Sequence, residues 1–346
     1  MGAMRRSLVL VLDPIRDLVE YAQKAEEAGF DAVWLTDFHN RSAFVRMAAT
    51  GQATKRIGIG SGIAYAFGRS PVYTASAVAD IDEITNGRTI LGLGTGTKRM
   101  QESWYGFKFE SPAPKAIEVV RLLRELWSAP QGRPFKHEGR FFDIAIDLYL
   151  RPGLVRSDIP IYLAGVNKLM VRAAGEVADG LVGHPRYSRR YLGEVVRPAI
   201  EEGLAMENRQ RDSFDLAGYV ITSISDDVEQ ARDEARRQIG FYATTRTYDA
   251  ILDLHGWADE KKGIRDSFRS LDFAGMTAAV SDDMLDQIAI VGTPEDCERQ
   301  LARYDGLLDH VLLYPPSVGV SPDRVKENYK LMMEVFGRPA SAGSAK

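Results

Sequence analysis

The chain has 346 residues, 27% of them charged and 45% hydrophobic, with a formal charge of −4 spread along its length. That length suits one large α/β barrel or two ordinary domains, and it is enough to bury a sizeable core. The even charge, with no basic tail or arginine-rich arm, argues against a nucleic-acid partner, and no apolar run approaches the ~20 residues that cross a membrane. After MGAMRR the chain enters the strand-like SLVLVLD directly. That stretch is short for a secretory leader, so a cytoplasmic location is expected. The single cysteine, Cys297, has no partner for an intramolecular disulfide and makes no cysteine-rich metal site. No metal is expected, and Cys297, within the polar helical PEDCERQLARY, reads as part of the packing.

Residues 7–12 read as the first strand and 15–28 as an amphipathic helix ended by Gly29. A second strand follows at 32–36 and a helix at about 43–53. Residues 57–96, IGIGSGIAYAFGRSPVYTASAVADIDEITNGRTILGLGTG, form one βαβ unit. Its strands are 57–61 and 89–94, its helix is 72–84, and Asn86-Gly87 is the stop signal. Both strands run into glycine-rich backbone at their C-terminal ends, the side on which α/β proteins bind ligands.

A helix at 114–127 carries apolar residues at helical spacing, and 130–150 departs from the rhythm with FKHEGRFFDIAIDLYL, which reads as a β-hairpin. Residues 161–164 and 181–183 are the fifth and sixth strands, with helices at 168–178 and about 189–207. The seventh strand is 216–224, followed by a helix at 228–242. The eighth is 310–314, followed by a closing helix at 322–336 and a frayed tail at 339–346. Eight strands each followed by a helix favour a TIM (β/α)8 barrel, one domain over residues 1–346, rather than an open sheet. It carries the hairpin insert at about 130–150 and a second insert at about 244–288. The second insert sits between strands seven and eight and reads equally as a lid over the mouth or as a peripheral helical decoration.

Four strand ends carry chemistry-bearing residues. TDFHN places Asp37 and His39 after the second strand, where a carboxylate can orient an imidazole or cap the next helix. LGLGTGTK, residues 91–98, is neither a Walker A loop nor the dinucleotide fingerprint. It offers the glycine backbone of Gly94 and Gly96 with Thr95, Thr97 and Lys98, suited to cofactor contact or to a tight packed turn. LAGVNK after the fifth strand opens a helix whose N-H groups and Lys168 suit an anion, with Asn167 as the alternative cap. DGLVGHP puts His184 at the end of the sixth strand. The loop at 60–70 joins Gly62 to Tyr65, Phe67 and Arg69 and suits a planar ring; Glu102, eight residues beyond Gly94, can reach the same mouth.

Taken together, GFDAVWLTD (29–37), GSGIAYAFGRSP (60–71), DEITNGRTILGLGTG (82–96), PIYLAG (160–165) and AGEVADG (174–180) resemble the luciferase-like superfamily. The resemblance is closer to its deazaflavin branch, which uses coenzyme F420, and within it to the methylene-tetrahydromethanopterin reductases and their actinobacterial relatives. It covers residues 7 to about 183, and the last strand and helix more loosely. It implies a TIM barrel with insertions, a homodimer, and a non-prolyl cis peptide after the third strand at Gly62–Ile63, flanked by Ser61. It also implies that the loops Gly94–Thr97 and Ala164, Gly165, Val166, Asn167 and Lys168 hold the cofactor's side chain and phosphate. His184 joins these as a cofactor contact; Lys98, Lys168 and Arg69 meet the anionic tail. One departure stands out: relatives read Asp-His at the second strand end, whereas here Phe38 separates Asp37 from His39.

The expected activity is hydride transfer between F420 and a small organic substrate, as a reductase. Asp37 and His39 handle the proton, with Glu102 as a further acid. The alternatives are an FMN-dependent luciferase-like monooxygenase, and a cofactor-binding protein without turnover.

Overall fold

Val33, Trp34 and Leu35, like Leu91 and Leu93, are apolar on consecutive or near-consecutive positions and fully or almost fully buried. Such strands have both faces covered, the arrangement of a parallel sheet enclosed by helices. The computed structural model describes residues 4–151 and 153–338; the tail at 339–346 lies outside them. The strands are β1 (Arg5–Leu10), β2 (Ala32–Thr36), β3 (Gly58–Tyr65), β4 (Thr89–Gly94), β5 (Arg133–Glu138), β6 (Asp143–Tyr149), β7 (Ile161–Gly165), β8 (Gly180–Gly183), β9 (Asp215–Ile224), β10 (Ala289–Gly292) and β11 (His310–Tyr314). Eight of them bond in the order β11-β1-β2-β3-β4-β7-β8, with β9 joining both β8 and β11, so the ring closes. The chain is a TIM barrel with extra elements, as its alternating pattern predicts. Backbone contacts divide it into two compact units.

The first unit comprises residues 4–33, 183–198 and 216–338. In it the ten-residue β9 serves two neighbours: Ala217–Ile221 pair with β11, and Ile221–Ile224 pair with β10. The sequence reading assigned no strand between the second insert, which it ended at about 288, and the strand at 310–314; β10 lies directly after that insert. The insert itself is a series of helical pieces, Arg246–Tyr248, Asp249–His255, Ala258–Arg269, Phe273–Ala278 and Asp282–Ile288. The helix Pro322–Phe336 docks through Tyr329, whose hydroxyl donates to Val9 O (2.6 Å) and accepts from Val11 N (2.9 Å).

The second unit comprises residues 34–182 and 199–215. Trp34 is fully buried and lies edge-on to Tyr162, ring centroids 5.5 Å apart. Its bulk explains Gly60, where a Cβ would lie 2.7 Å from the indole; Gly92 answers instead to Ser61 O, 2.2 Å from where its Cβ would stand. The β3–β4 register slips between Gly60 and Ala64, a bulge where the resemblance implied one. The implied cis peptide is absent: among the described residues the cis bond is Asp13–Pro14, and Gly62–Ile63 is trans. Ser61 bridges the slipped ladder instead, its hydroxyl donating to Gly92 O and accepting from Gly92 N, both at 2.8 Å. The Ser61 side chain thus takes up both backbone groups of Gly92 where the ladder slips.

The helix Pro71–Thr85 starts on Ser70, whose hydroxyl accepts from Val72 N at 3.3 Å, and stops at left-handed Asn86 (φ 52°). The hairpin β5–β6 forms as expected. Glu118 clasps its turn, accepting from the backbone N-H groups of Arg140, Phe141 and Phe142 at 2.8–3.1 Å.

Candidate active site

The C-terminal ends of β2 and β3 enclose a cleft of about 480 Å³ lined by residues 37–42 with Tyr65, Gly68, Arg69 and Tyr105. Its first wall is the turn after β2. Phe38 N donates to Arg41 O and Arg41 N donates to Phe38 O (3.0 and 3.1 Å), so His39 and Asn40 form the tip of a two-residue loop. Phe38, His39 and Trp104 pack as three rings with centroids 4.5–5.5 Å apart. Trp104 comes from a five-residue π-helical turn, Met100–Trp104, a form often found at functional sites. Tyr105, next in the chain, packs on Tyr65 at 5.3 Å, and burial holds its phenol above the usual range.

Asp37 is buried, and its carboxylate is already engaged. Arg69 Nη1 donates to Oδ2 at 2.7 Å and Nη2 donates to Oδ1 at 3.3 Å, a bidentate pair. Oδ1 also accepts from Ala43 N at 3.1 Å, so Asp37 caps the helix Ala43–Ala53 while Ser42 makes no cap bond. Arg69 lies over the Phe44 ring at 4.9 Å. The sequence reading paired Asp37 with His39; the structure pairs Asp37 with Arg69. The imidazole of His39 is exposed and takes part in no hydrogen bond among the described residues. Arg69, expected to meet an anionic tail, is committed to Asp37.

The glycine-rich end of β4 is a packed turn. A Cβ on Gly94 would lie 2.2 Å from Ile63 Cγ2, so this glycine is required by the β3 neighbour, and Gly96 is left-handed at φ +64°. Thr97 Oγ1 accepts from Met100 N at 3.3 Å, Thr95 Oγ1 donates to Gly96 O at 3.1 Å, and Gln101 Nε2 donates to Thr95 O at 2.9 Å. These bonds set the π turn that presents Trp104. Lys98 and Glu102 are exposed, 3.9 Å apart on one face, and Glu102 stands two residues before Trp104 outside the lining of the cleft. At the end of β7, Gly165 packs against Val171, and Ala164 lies near the Gly94 backbone. Asn167 holds the N-cap position through its backbone rather than its side chain, and Val166 lies beside it in the loop. Lys168, expected to meet an anion, pairs with Glu202 at 2.6 Å on the surface.

In the first unit, His184 follows β8 as expected. Arg186 N donates to its Nδ1 at 3.2 Å, which leaves the proton on Nε2, and Nε2 donates to Tyr248 Oη at 2.8 Å. The ring stacks on Tyr248 at 4.3 Å and meets Tyr242 edge-on at 5.0 Å. Desolvation, then the Arg186 charge, lowers the His184 pKa from 6.5 to about 3. A base whose folded pKa lies below its unfolded one contributes stability that is complete above about pH 6.5 and lost as pH falls towards 3. Unfolding titrations of wild type between pH 7 and 4 should therefore show a falling limb that His184→Gln flattens; an unchanged limb would remove His184 from the account.

Sequence reasoning missed Tyr105, which lines the cleft, and Trp104, which packs on Phe38 and His39 behind it, although an aromatic pair in an otherwise polar loop was a usable signal. It also missed Tyr248, the partner of His184, since 64 residues separate the two and no local pattern links them.

A family model described as luciferase-like monooxygenase matches residues 2–310. The 5,10-methylenetetrahydromethanopterin reductase of Archaeoglobus fulgidus is 31% identical over 287 residues, 81% of this chain and 83% of that protein. The structure of the coenzyme F420-dependent tetrahydromethanopterin reductase of Methanopyrus kandleri superposes with a TM-score of 0.83 at 23% identity, covering 96% of this chain and 98% of that one. An F420-dependent secondary alcohol dehydrogenase in complex with an F420-acetone adduct superposes with a TM-score of 0.74 at 20% identity, covering 96% and 98%.

Proposed function

We propose that this chain, which belongs to the luciferase-like monooxygenase family, is an oxidoreductase dependent on coenzyme F420 that works as a reductase on a small organic substrate. The observation that carries this reading is the 31% identity with a methylenetetrahydromethanopterin reductase across four fifths of the chain. The second unit's cleft fits such a cofactor in kind. Tyr65, Phe38 and Tyr105 offer flat apolar faces to a planar ring, and the Ser61–Gly62–Ile63 bulge brings bare backbone to the strand end beside them. When bound, the deazaflavin supplies the hydride, and the protein orients it and excludes competing reactions.

In this reading the loops Gly94–Lys98 and Ala164–Lys168 hold the cofactor's side chain through backbone N-H groups and local hydroxyls. His39, packed against Phe38 and Trp104 with its nitrogens unengaged among the described residues, holds or moves the proton at the reacting centre. Asp37 positions Arg69 and the β2 turn, and Glu102 is a second acid on the Trp104 turn. The trans Gly62–Ile63 bond weighs against the deazaflavin reading, so the cofactor rests on kinship and on the cleft.

The family description favours a second reading, an FMN-dependent monooxygenase. One titration separates the two. Purified protein is titrated with F420 and, separately, with FMN, and binding is followed by fluorescence quenching. Micromolar F420 binding with little for FMN is the expected result; it directs the search to acceptors, beginning with methylenetetrahydromethanopterin and acetone. The reverse result moves the chain to the flavin monooxygenases and makes oxygen the next reagent.

A further inference from the structure

Arg186 follows His184 by two residues and is fully buried. Its Nη1 reaches Ile239 O at 3.4 Å, while Nε and Nη2 have no hydrogen-bond partner among the described residues. Those two nitrogens form one edge of the guanidinium, the fork that receives both oxygens of a carboxylate or phosphate. The same chain shows what that edge does elsewhere. Arg324 sets Nε and Nη2 on the two oxygens of Glu234 at 2.9 and 3.2 Å. Arg156 sets them on the two oxygens of Asp82 at 3.1 and 2.9 Å. Arg186 alone of these three presents the edge to no carboxylate among the described residues. A buried cation without a counter-charge is strongly unfavourable, so such an arrangement persists where a ligand completes it.

We propose that the Nε–Nη2 edge of Arg186 is a binding site for an oxyanion, a carboxylate or phosphate group of a ligand, with the Tyr248 hydroxyl as a second donor. Tyr248 suits that role because it accepts from His184 Nε2 and so keeps its own proton for another acceptor. Arg186 has no exposed surface, so entry requires a neighbouring side chain to move. Tyr248, on the short turn Arg246–Tyr248 that opens the second insert, is the neighbour placed to do so. The site stands on these contacts. Only the assignment of its oxyanion to substrate or cofactor rests on the F420 reading.

The test uses the full chain without cofactor. Its melting temperature is measured in sodium acetate, benzoate or phosphate, against chloride at matched ionic strength. Wild type should melt higher by roughly 2 °C or more in at least one oxyanion. Arg186→Met should show no such response and should melt at or above wild type in chloride, since it removes an unpaired buried charge. Tyr248→Phe, which keeps the packing, should need a several-fold higher oxyanion concentration for the same rise. A drop in the melting temperature of Arg186→Met in chloride, an undiminished response in that variant, or an unshifted dose dependence in Tyr248→Phe would overturn the site. Repeating the series with F420-loaded protein assigns the oxyanion. A response abolished by F420 places the cofactor's acidic groups there, and a response retained places a substrate carboxylate or phosphate there. Failure of F420 to bind would defeat the cofactor reading and leave the acetate and phosphate results standing.

Discussion

Replacing His39 with alanine should lower kcat about 100- to 10,000-fold for the reaction of reduced F420 with the acceptor it is found to reduce, while F420 affinity stays within a few-fold. The imidazole is held at the rim of the cleft by the rings of Phe38 and Trp104, and its nitrogens are unengaged among the described residues. A residue that serves only packing would instead move binding and turnover together. Asp37→Asn should behave differently. Its carboxylate is spent on Arg69 and on Ala43 N, so the change should weaken the β2 turn and cofactor affinity more than the chemical step. Glu102→Gln should cost less than His39→Ala, because that carboxylate is exposed beside Lys98. Single-turnover kinetics with a parallel binding titration separates these outcomes. Turnover by His39→Ala within a few-fold of wild type would end the assignment of the proton to this residue.

The largest loss of stability is expected at a site remote from the chemistry. Glu234 and Arg324 are 7% and 9% exposed at the side chain and form a two-bond pair. Ser223 Oγ also donates to Glu234 at 2.6 Å, and Arg324 Nη2 donates to Ile224 O at 2.7 Å. The pair ties the helices Val228–Ala243 and Pro322–Phe336 to the end of β9. Glu234→Ala strips the guanidinium of its buried two-bond partner and leaves only the exposed Glu327 carboxylate at 3.3 Å as counter-charge, which should cost about 3 kcal/mol. Removing both partners, as Glu234→Leu with Arg324→Leu, should recover much of that loss, since well-packed apolar side chains replace such pairs at little net cost. Urea unfolding of the two single variants and the double variant closes the cycle. Additive losses across it would show that the pair is not coupled and that each residue acts through its separate hydrogen bonds.

The barrel was legible because its signals are local. Apolar runs such as Leu91 to Leu93, the Ser70-Pro71 start and the Asn86-Gly87 stop each declare an element from a handful of neighbours. The hairpin at β5–β6 was legible for the same reason. β10 was not, because four residues whose pairing partner is the far end of β9 carry no periodicity of their own. The candidate site was legible in part. Strand ends pointed to Asp37 and His39, which line the cleft, and to His184, which does not. Their partners were not legible. Asp37 is 32 residues from Arg69, and His184 is 64 from Tyr248. The nearby His39, the natural guess for Asp37, loses to an arginine that offers two donors at once.

What the sequence by itself determined, then, is the alternation of strands and helices that closes into a barrel, β10 apart, and the family to which the chain belongs. Propensity, capping and periodicity act over a few residues and survive any packing consistent with them. Only the tertiary structure decided which charges meet, that Gly60, Gly92 and Gly94 are glycines for Trp34, Ser61 and Ile63, that the β3 bulge closes with a trans peptide bridged by Ser61, and that Arg186 is buried with one edge unpaired. Those outcomes depend on side-chain atoms approaching within a few ångströms across long loops, a condition that no stretch of the chain specifies alone.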